Sequence, residues 1–324
     1  MLLKYLLIAV AALGLVACVA NKSSNTPVPQ FHYHLDKDIL LKHVQYISAE
    51  DKKGRKTGTA EANLVAKYIA EKLTEFGVSP LKTQNSLLHQ FSFKRNFSTR
   101  QGENVVGKIK GTKHPNNFIV LTAHYDHIGT QGVSVFNGAD DNASGVAALL
   151  EFARLLTVNP PEHSIILLFT DGEELNFKGA KAFAKQYKGI LSNTVLNINV
   201  DMIGGDSRTK SLRYIYQRFY SVLPNDSKKG FKLLLQSSPI NVKKGFDRAT
   251  NIKNGTTSSW YLASDHAIFY KKKIPFIYYG VGTHRNYHKT TDTFKNLNKN
   301  MLWETSNTIY QHLRFLDQHI EKNS

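Results

Sequence analysis

Three stretches of this chain, 118–123, 164–169 and 195–200, are apolar almost without interruption. A strand with one wet face alternates apolar and polar residues, whereas a short continuous run suits a strand covered on both faces. Helical patterns lie between these runs, at 146–156 and at 176–187 ahead of Gly189. Strands alternating with helices predict a largely parallel sheet between two helical layers. Residues 90–93 and 104–109 read as earlier strands, with Lys110-Gly111-Thr112 turning into the first long run. Residues 212–217 and 275–279 add strands, and 297–316 a long final helix. Two helices precede the sheet, 36–49 and 61–76, the second closed by Gly77, with a polar loop over 51–58. The stretch 204–261 is less periodic. It reads as an insertion covering one end of the sheet, or as a helix with long loops.

Residues 1–17 stand apart from the fold. Lys4 supplies a positive start, 6–13 an apolar core, and Leu15-Val16-Ala17-Cys18 a box of small residues before the chain's single cysteine. The apolar run falls short of the roughly 20 residues that span a bilayer. The segment resembles a bacterial lipoprotein signal, which implies cleavage before Cys18 and acylation of its thiol. Residues 18–30, polar with two prolines, read as a tether, leaving 31–324 as one domain. The chain is thus expected to be exported and lipid-anchored in a bacterial envelope, facing the periplasm or on the outer membrane. One cysteine excludes an internal disulfide and a thiolate metal site. The net charge is +17, yet the lysines are scattered and no nucleic-acid motif accompanies them. Attraction to an anionic membrane surface, or a solvated face, is the expected consequence, with no nucleic-acid partner.

Each buried run ends in side chains capable of chemistry. His124-Tyr125-Asp126-His127 follows the first, Asp171-Gly172-Glu173-Glu174 comes one residue after the second, and Asp201 follows the third. The segment 137–145 places Asp140 and Asp141 before a helix that Ser144 or Asn142 can cap. Tyr287-His288 lies shortly after 275–279. Taken singly, His127 and His284 read as solvated loop histidines, Asp126 and Asp171 as turn residues, and Glu173 and Glu174 as acids of a helix's first turn. Taken together they are hard to reconcile with coincidence, because parallel strands bring their C-termini to one edge, where ligands bind.

In order, His124-x-Asp126, Gly138-Ala139-Asp140-Asp141-Asn142-x-Ser144-Gly145, Glu173-Glu174, Asn199-Val200-Asp201-Met202 and Tyr287-His288 resemble the motifs of bacterial zinc aminopeptidases of metallopeptidase family twenty-eight. The resemblance implies a single α/β domain whose mixed, mostly parallel sheet is flanked by helices on both faces. It implies two zinc ions, one held by His124 and Asp201, the other by Glu174 and His288, with Asp141 bridging them. Imidazole and carboxylate are ordinary zinc ligands. Glu173 matches the family's general base and Tyr287 a donor to the developing oxyanion. Asp126 is the natural partner to fix the tautomer of His124, and Asp292 is placed to do the same near His288. Asp140 is expected to point elsewhere. Asp265, in Ser264-Asp265-His266, reads as a substrate contact or as a cap of the following helix. The implied activity is hydrolysis at the N-terminus of a peptide substrate outside the cytoplasm. Alternatives are a glutaminyl cyclase with one zinc, a carboxypeptidase or dipeptidase, and a non-catalytic metal-containing binding module; the complete ligand set favours two metals and hydrolysis.

Overall fold

This computed structural model describes residues 34–321 apart from 83, 246–251, 254, 255 and 258. The expected signal, Cys18 and the tether lie outside the described residues. The chain enters through α1 (Lys37–Ile47), capped by Asp36, whose carboxylate accepts the amides of Asp38 and Ile39 at 2.9 and 3.0 Å. Next come α2 (Ala60–Glu75), β1 (Leu88–Arg95), β2 (Ser98–Ile109), β3 (His114–His124) and the ribbon β4 (Gly129–Gln131) with β5 (Ser134–Phe136). The centre of the chain alternates α3 (Gly145–Val158), β6 (His163–Thr170), α4 (Lys178–Gln186), α5 (Lys188–Ser192) and β7 (Thr194–Val200). The last part holds β8 (Ser211–Gln217), α6 (Asn225–Gln236), β9 (Asn241–Lys244), the ribbon β10 (Ile252–Lys253) with β11 (Thr256–Thr257), α7 (His266–Lys271), β12 (Phe276–Gly280) and α8 (Lys299–His319).

One eight-stranded sheet runs in the order β1-β2-β6-β3-β7-β12-β8-β9. Its centre, β6-β3-β7-β12, is parallel; β1, β2 and β6 pair antiparallel with one another, as do β12 and β8. The uninterrupted apolar runs follow from this placement. Ile119 and Leu121, Ile165 and Leu167, and Leu196 and Ile198 face the core built with α1, α2, α3 and α8. Their alternates Val120, Ile166 and Leu168 face the layer of α4, α5 and α7. Asn197 and Asn199 of β7 break the apolar pattern yet are buried. Asn197 donates to Val120 O at 3.0 Å, and Thr122 donates to Asn199 Oδ1 at 2.5 Å, so the sheet itself partners them.

Two expectations are corrected. Residues 51–58 do not form a plain polar loop: a 3₁₀ turn (Glu50–Arg55) carries Arg55 into the interior. Gly189 lies inside α5 and does not end the preceding helix, which closes at Gln186. Within 204–261 the strand expected at 212–217 forms as β8, which pairs with β12, and β9 pairs with β8. In the same stretch α6 packs on α8, with Phe231 and Phe315 rings 6.0 Å apart. No described helix is long and apolar enough to cross a membrane.

Candidate metal centre

Because β3, β6, β7 and β12 run parallel, the residues after each strand meet at one edge. Asp141, in the turn before α3, stands between two groups of donors. Its Oδ1 lies 3.3 Å from His124 Nε2, which is 3.4 Å from Asp201 Oδ1. Its Oδ2 lies 3.2 Å from His288 Nε2, which is 3.2 Å from Glu174 Oε1. All five residues matched to metal ligands therefore gather here. His127 joins them: it is 1 % exposed, with Nδ1 3.2 Å from Glu174 Oε1. The expectation of a solvated loop histidine is corrected, since the turn after β3 runs inward and nothing local in the sequence signals it. His284, expected in solvent too, instead sits with Nε2 2.9 Å from Asp140 Oδ2.

Glu174 Oε1, Asp201 Oδ1 and both ring nitrogens of His127 are buried without hydrogen-bond partners. Each such group costs about 1–3 kcal/mol if left unsatisfied. Nitrogen and carboxylate donors clustered in this way suit zinc. The sets His124, Asp141, Asp201 and His127, Asp141, Glu174 each bring one donor atom per residue within 4.8 Å of the others.

The loops that carry these donors are fixed through their backbones. Asp126 accepts the amides of Glu173 and Glu174 at 3.0 and 3.3 Å, and the Thr57 hydroxyl at 3.2 Å. It is its backbone carbonyl, 3.1 Å from His124 Nδ1, that orients the imidazole; the carboxylate is farther, at 3.7 Å. Asp292 accepts the amides of Asp140 and Asp141 at 2.9 and 3.0 Å, so it holds the Asp141 turn and not His288. Asp171 likewise accepts the distant Glu103 amide at 3.0 Å, where a local turn was expected for it and for Asp126. Asp140 points away, accepting Gly204 N at 2.7 Å. Of the two candidate caps, Asn142 receives the α3 amide of Gly145 at 3.0 Å, while the Ser144 hydroxyl donates to Asp140 O at 2.6 Å. Arg55, which the sequence reading missed, donates to the carbonyls of Tyr125, Asn137, Gly138 and Asp141. A basic residue in a polar stretch gives no sign that it will be buried.

Burial works to raise the carboxyls of Asp141, Glu173 and Glu174, and the histidines hold two of them ionised. Against that burial, His127, His124 and His288 hold Asp141 well below the usual range, and His127 and His288 hold Glu174 at about 2. Burial opposes charge on His124 and His288 as well. Asp201, Glu173 and Asp141 nonetheless push His124 well up, and Asp141 and Glu174 raise His288 to about 10. Glu173 is pushed well up by burial, with Glu174, Asp265 and Asp201 adding to it. A cavity of about 360 Å³ opens over the cluster, lined by Glu173 and Tyr287 together with apolar Phe177, Trp260 and Leu262. Asp265 is not among its walls. It is fully buried, takes the Thr170 hydroxyl, and stands at the N-cap position of α7 without a side-chain cap bond.

Residues 104–313 match the model of peptidase family M28. A probable zinc metalloprotease of Pyrenophora teres is 31% identical over 149 residues, 45% of this chain and 30% of that protein. The chain thus spans less than a third of that curated relative. A zinc aminopeptidase from Bacillus subtilis has the same fold, with a TM-score of 0.68 and 14% identity over 92% of this chain and 97% of that one. A glutaminyl cyclase from Bacteroides thetaiotaomicron, bound to N-acetylhistamine, superposes with a TM-score of 0.62 and 20% identity over 88% and 98%.

Two outcomes are expected. Arg55→Met leaves carbonyls of the ligand loops without their donor, and should lower unfolding free energy in urea by about 3–5 kcal/mol, the usual cost of removing one partner from a buried charged network. Zinc bound at His124 and His288 would displace the protons held there, so affinity should rise with pH and level off near 10, where His288 loses its proton. Chelator competition at stepped pH measures this; a flat profile would contradict it.

Proposed function

The chain belongs to peptidase family M28, and we propose that it removes residues from the N-termini of peptides at a two-zinc site. His124, Asp141 and Asp201 would hold one ion and Asp141, Glu174 and His288 the other. The observation that carries this reading is Asp141, whose two carboxylate oxygens face separate donor groups. Zinc bound there supplies Lewis-acid polarisation of a peptide carbonyl and lowers the pKa of water toward about 7.

The chain's own residues supply the rest. Glu173 lines the cavity, and its carboxylate can take a proton from the attacking water and deliver it to the leaving amine. Tyr287 lines the same cavity with its ring stacked on His288, centroids 3.9 Å apart. Burial keeps its phenol protonated, as a donor to the developing oxyanion must be. Phe177, Trp260, Leu262 and the body of Tyr278 form apolar walls that favour an apolar first residue in the substrate. We also propose that the protein is exported and held in a bacterial envelope by a lipid on Cys18, on the strength of the lipoprotein-like segment ending there.

A panel of peptides tests the activity. Peptides with a free N-terminus should lose their first residue in a zinc-dependent way, and N-acetylated ones should remain intact. Conversion of N-terminal glutamine to pyroglutamate without hydrolysis would favour the cyclase instead, and bound zinc without any turnover a binding module. Glu173→Gln should keep its zinc while turnover drops by about 10²–10⁴. Asp141→Ala should lose zinc, measured by elemental analysis; full occupancy in that variant would remove Asp141 from the bridging position.

A further inference from the structure

The geometry points to His127 as a further zinc ligand, acting through Nδ1 on the Glu174 and His288 side, an assignment that rests on the two-zinc reading. His127 is 1 % exposed, and neither ring nitrogen has a hydrogen-bond partner. An imidazole presents polar groups at both nitrogens, so burial without partners is costly. Nδ1 lies 3.2 Å from Glu174 Oε1 and 3.8 Å from Asp141 Oδ2, and these three residues bring donor atoms within 4.8 Å of one another. Glu174 Oε1 is itself unpartnered, and the same oxygen lies 3.2 Å from His288 Nε2. A hydrogen bond from His127 to Glu174 is the competing role, but their contact is not aligned as one. A cation among these atoms would give both Nδ1 of His127 and Oε1 of Glu174 the partner they lack.

The neighbouring backbone favours this pose. Gly138 has φ +58°, and a Cβ there would fall 2.6 Å from both Cγ and Cδ2 of His127. Glycine therefore lets the Cγ–Cδ2 edge of the ring lie against the backbone while Nδ1 meets the acids. With His127 counted, the Glu174 side has four protein donors (Asp141, His127, Glu174 and His288) and the Asp201 side three. Four protein ligands close a tetrahedral zinc site, whereas three leave a position open. The two sides should accordingly differ in grip, with the His127 side releasing its ion last.

The test is a crystal structure of the zinc-loaded chain with anomalous scattering at the zinc edge, joined to zinc content after dialysis against a chelator. Zinc about 2.0–2.1 Å from His127 Nδ1 is expected. His127→Phe keeps the ring's bulk without its nitrogens and should weaken one of two zincs by more than about 100-fold, beyond the 10–100-fold typical of outer partners. His127→Asn, which returns a donor near the place of Nδ1, should recover part of that loss. Zinc seated among Asp141, Glu174 and His288 with His127 Nδ1 more than about 3 Å away would overturn the assignment and leave the two-zinc reading standing. Retention of both zincs by His127→Phe through the same dialysis would overturn it too. If His127→Phe does not fold, the crystal decides alone. Absence of zinc at Asp141 would remove both readings.

Discussion

The structure turns on the burial of carboxylates at one sheet edge. Asp141, Glu174 and Asp201 meet there, with Glu173 beside them and Asp126, Asp171, Asp265 and Asp292 packed behind. Desolvation penalises each charge, and the acids respond according to what they touch. Asp141 and Glu174 are held in the ionised form by the histidines they meet. Acids behind them move toward the neutral form: burial carries Asp171 to about 8, and carries Asp126 to about 7 despite the nearby His124. The unpartnered atoms of Glu174, Asp201 and His127 are where this balance remains incomplete, and a divalent cation is the charge that completes it.

Such crowding is tolerable only if the groups cannot move apart. The protein holds them through main chain and not through side chain alone. Asp126 clamps two successive amides of the Glu173–Glu174 turn, and Asp292 clamps two of the Asp140–Asp141 turn. Arg55 works in the opposite sense, donating to four carbonyls of the loops after β3 and before α3. Acceptors meet amides and a donor meets carbonyls, so each ligand loop is gripped from both chemical sides. Arg55 lies outside the stretch that matches the family model, which makes the early helical segment part of the site's support.

Above this rigid floor the cavity divides by character. Its floor is acidic and imidazole-rich, while Phe177, Trp260 and Leu262 are apolar. Under the proposed function, a peptide's charged amine and scissile bond would meet the first surface and its leading side chain the second. Asp141 separates the floor into a side with His124 and Asp201 and a side with His288, Glu174 and the inward-turned His127. On the proposed two-zinc reading, that division gives the two sides unequal donor sets around Asp141.

Much of this is legible in the amino-acid sequence. The uninterrupted runs at 118–123, 164–169 and 195–200 required strands covered on both faces, because each successive side chain had to meet an apolar layer. The acids and histidines at their ends followed from the same topology, since parallel strands deliver their last residues to one edge. What no local pattern carries is burial of polar residues by distant partners. Arg55 looks like a solvent lysine or arginine until four carbonyls surround it, and His127 looks like a loop histidine until Gly138 makes room for its ring. Asp265 sits beside a motif yet is sealed beneath the site. The sequence by itself determined the layered sheet and the acids and histidines brought to its edge, because periodicity and strand direction are local properties. Only the tertiary structure decided which of those groups share a cation-sized space and which brace the loops, because that depends on contacts between segments far apart in the chain.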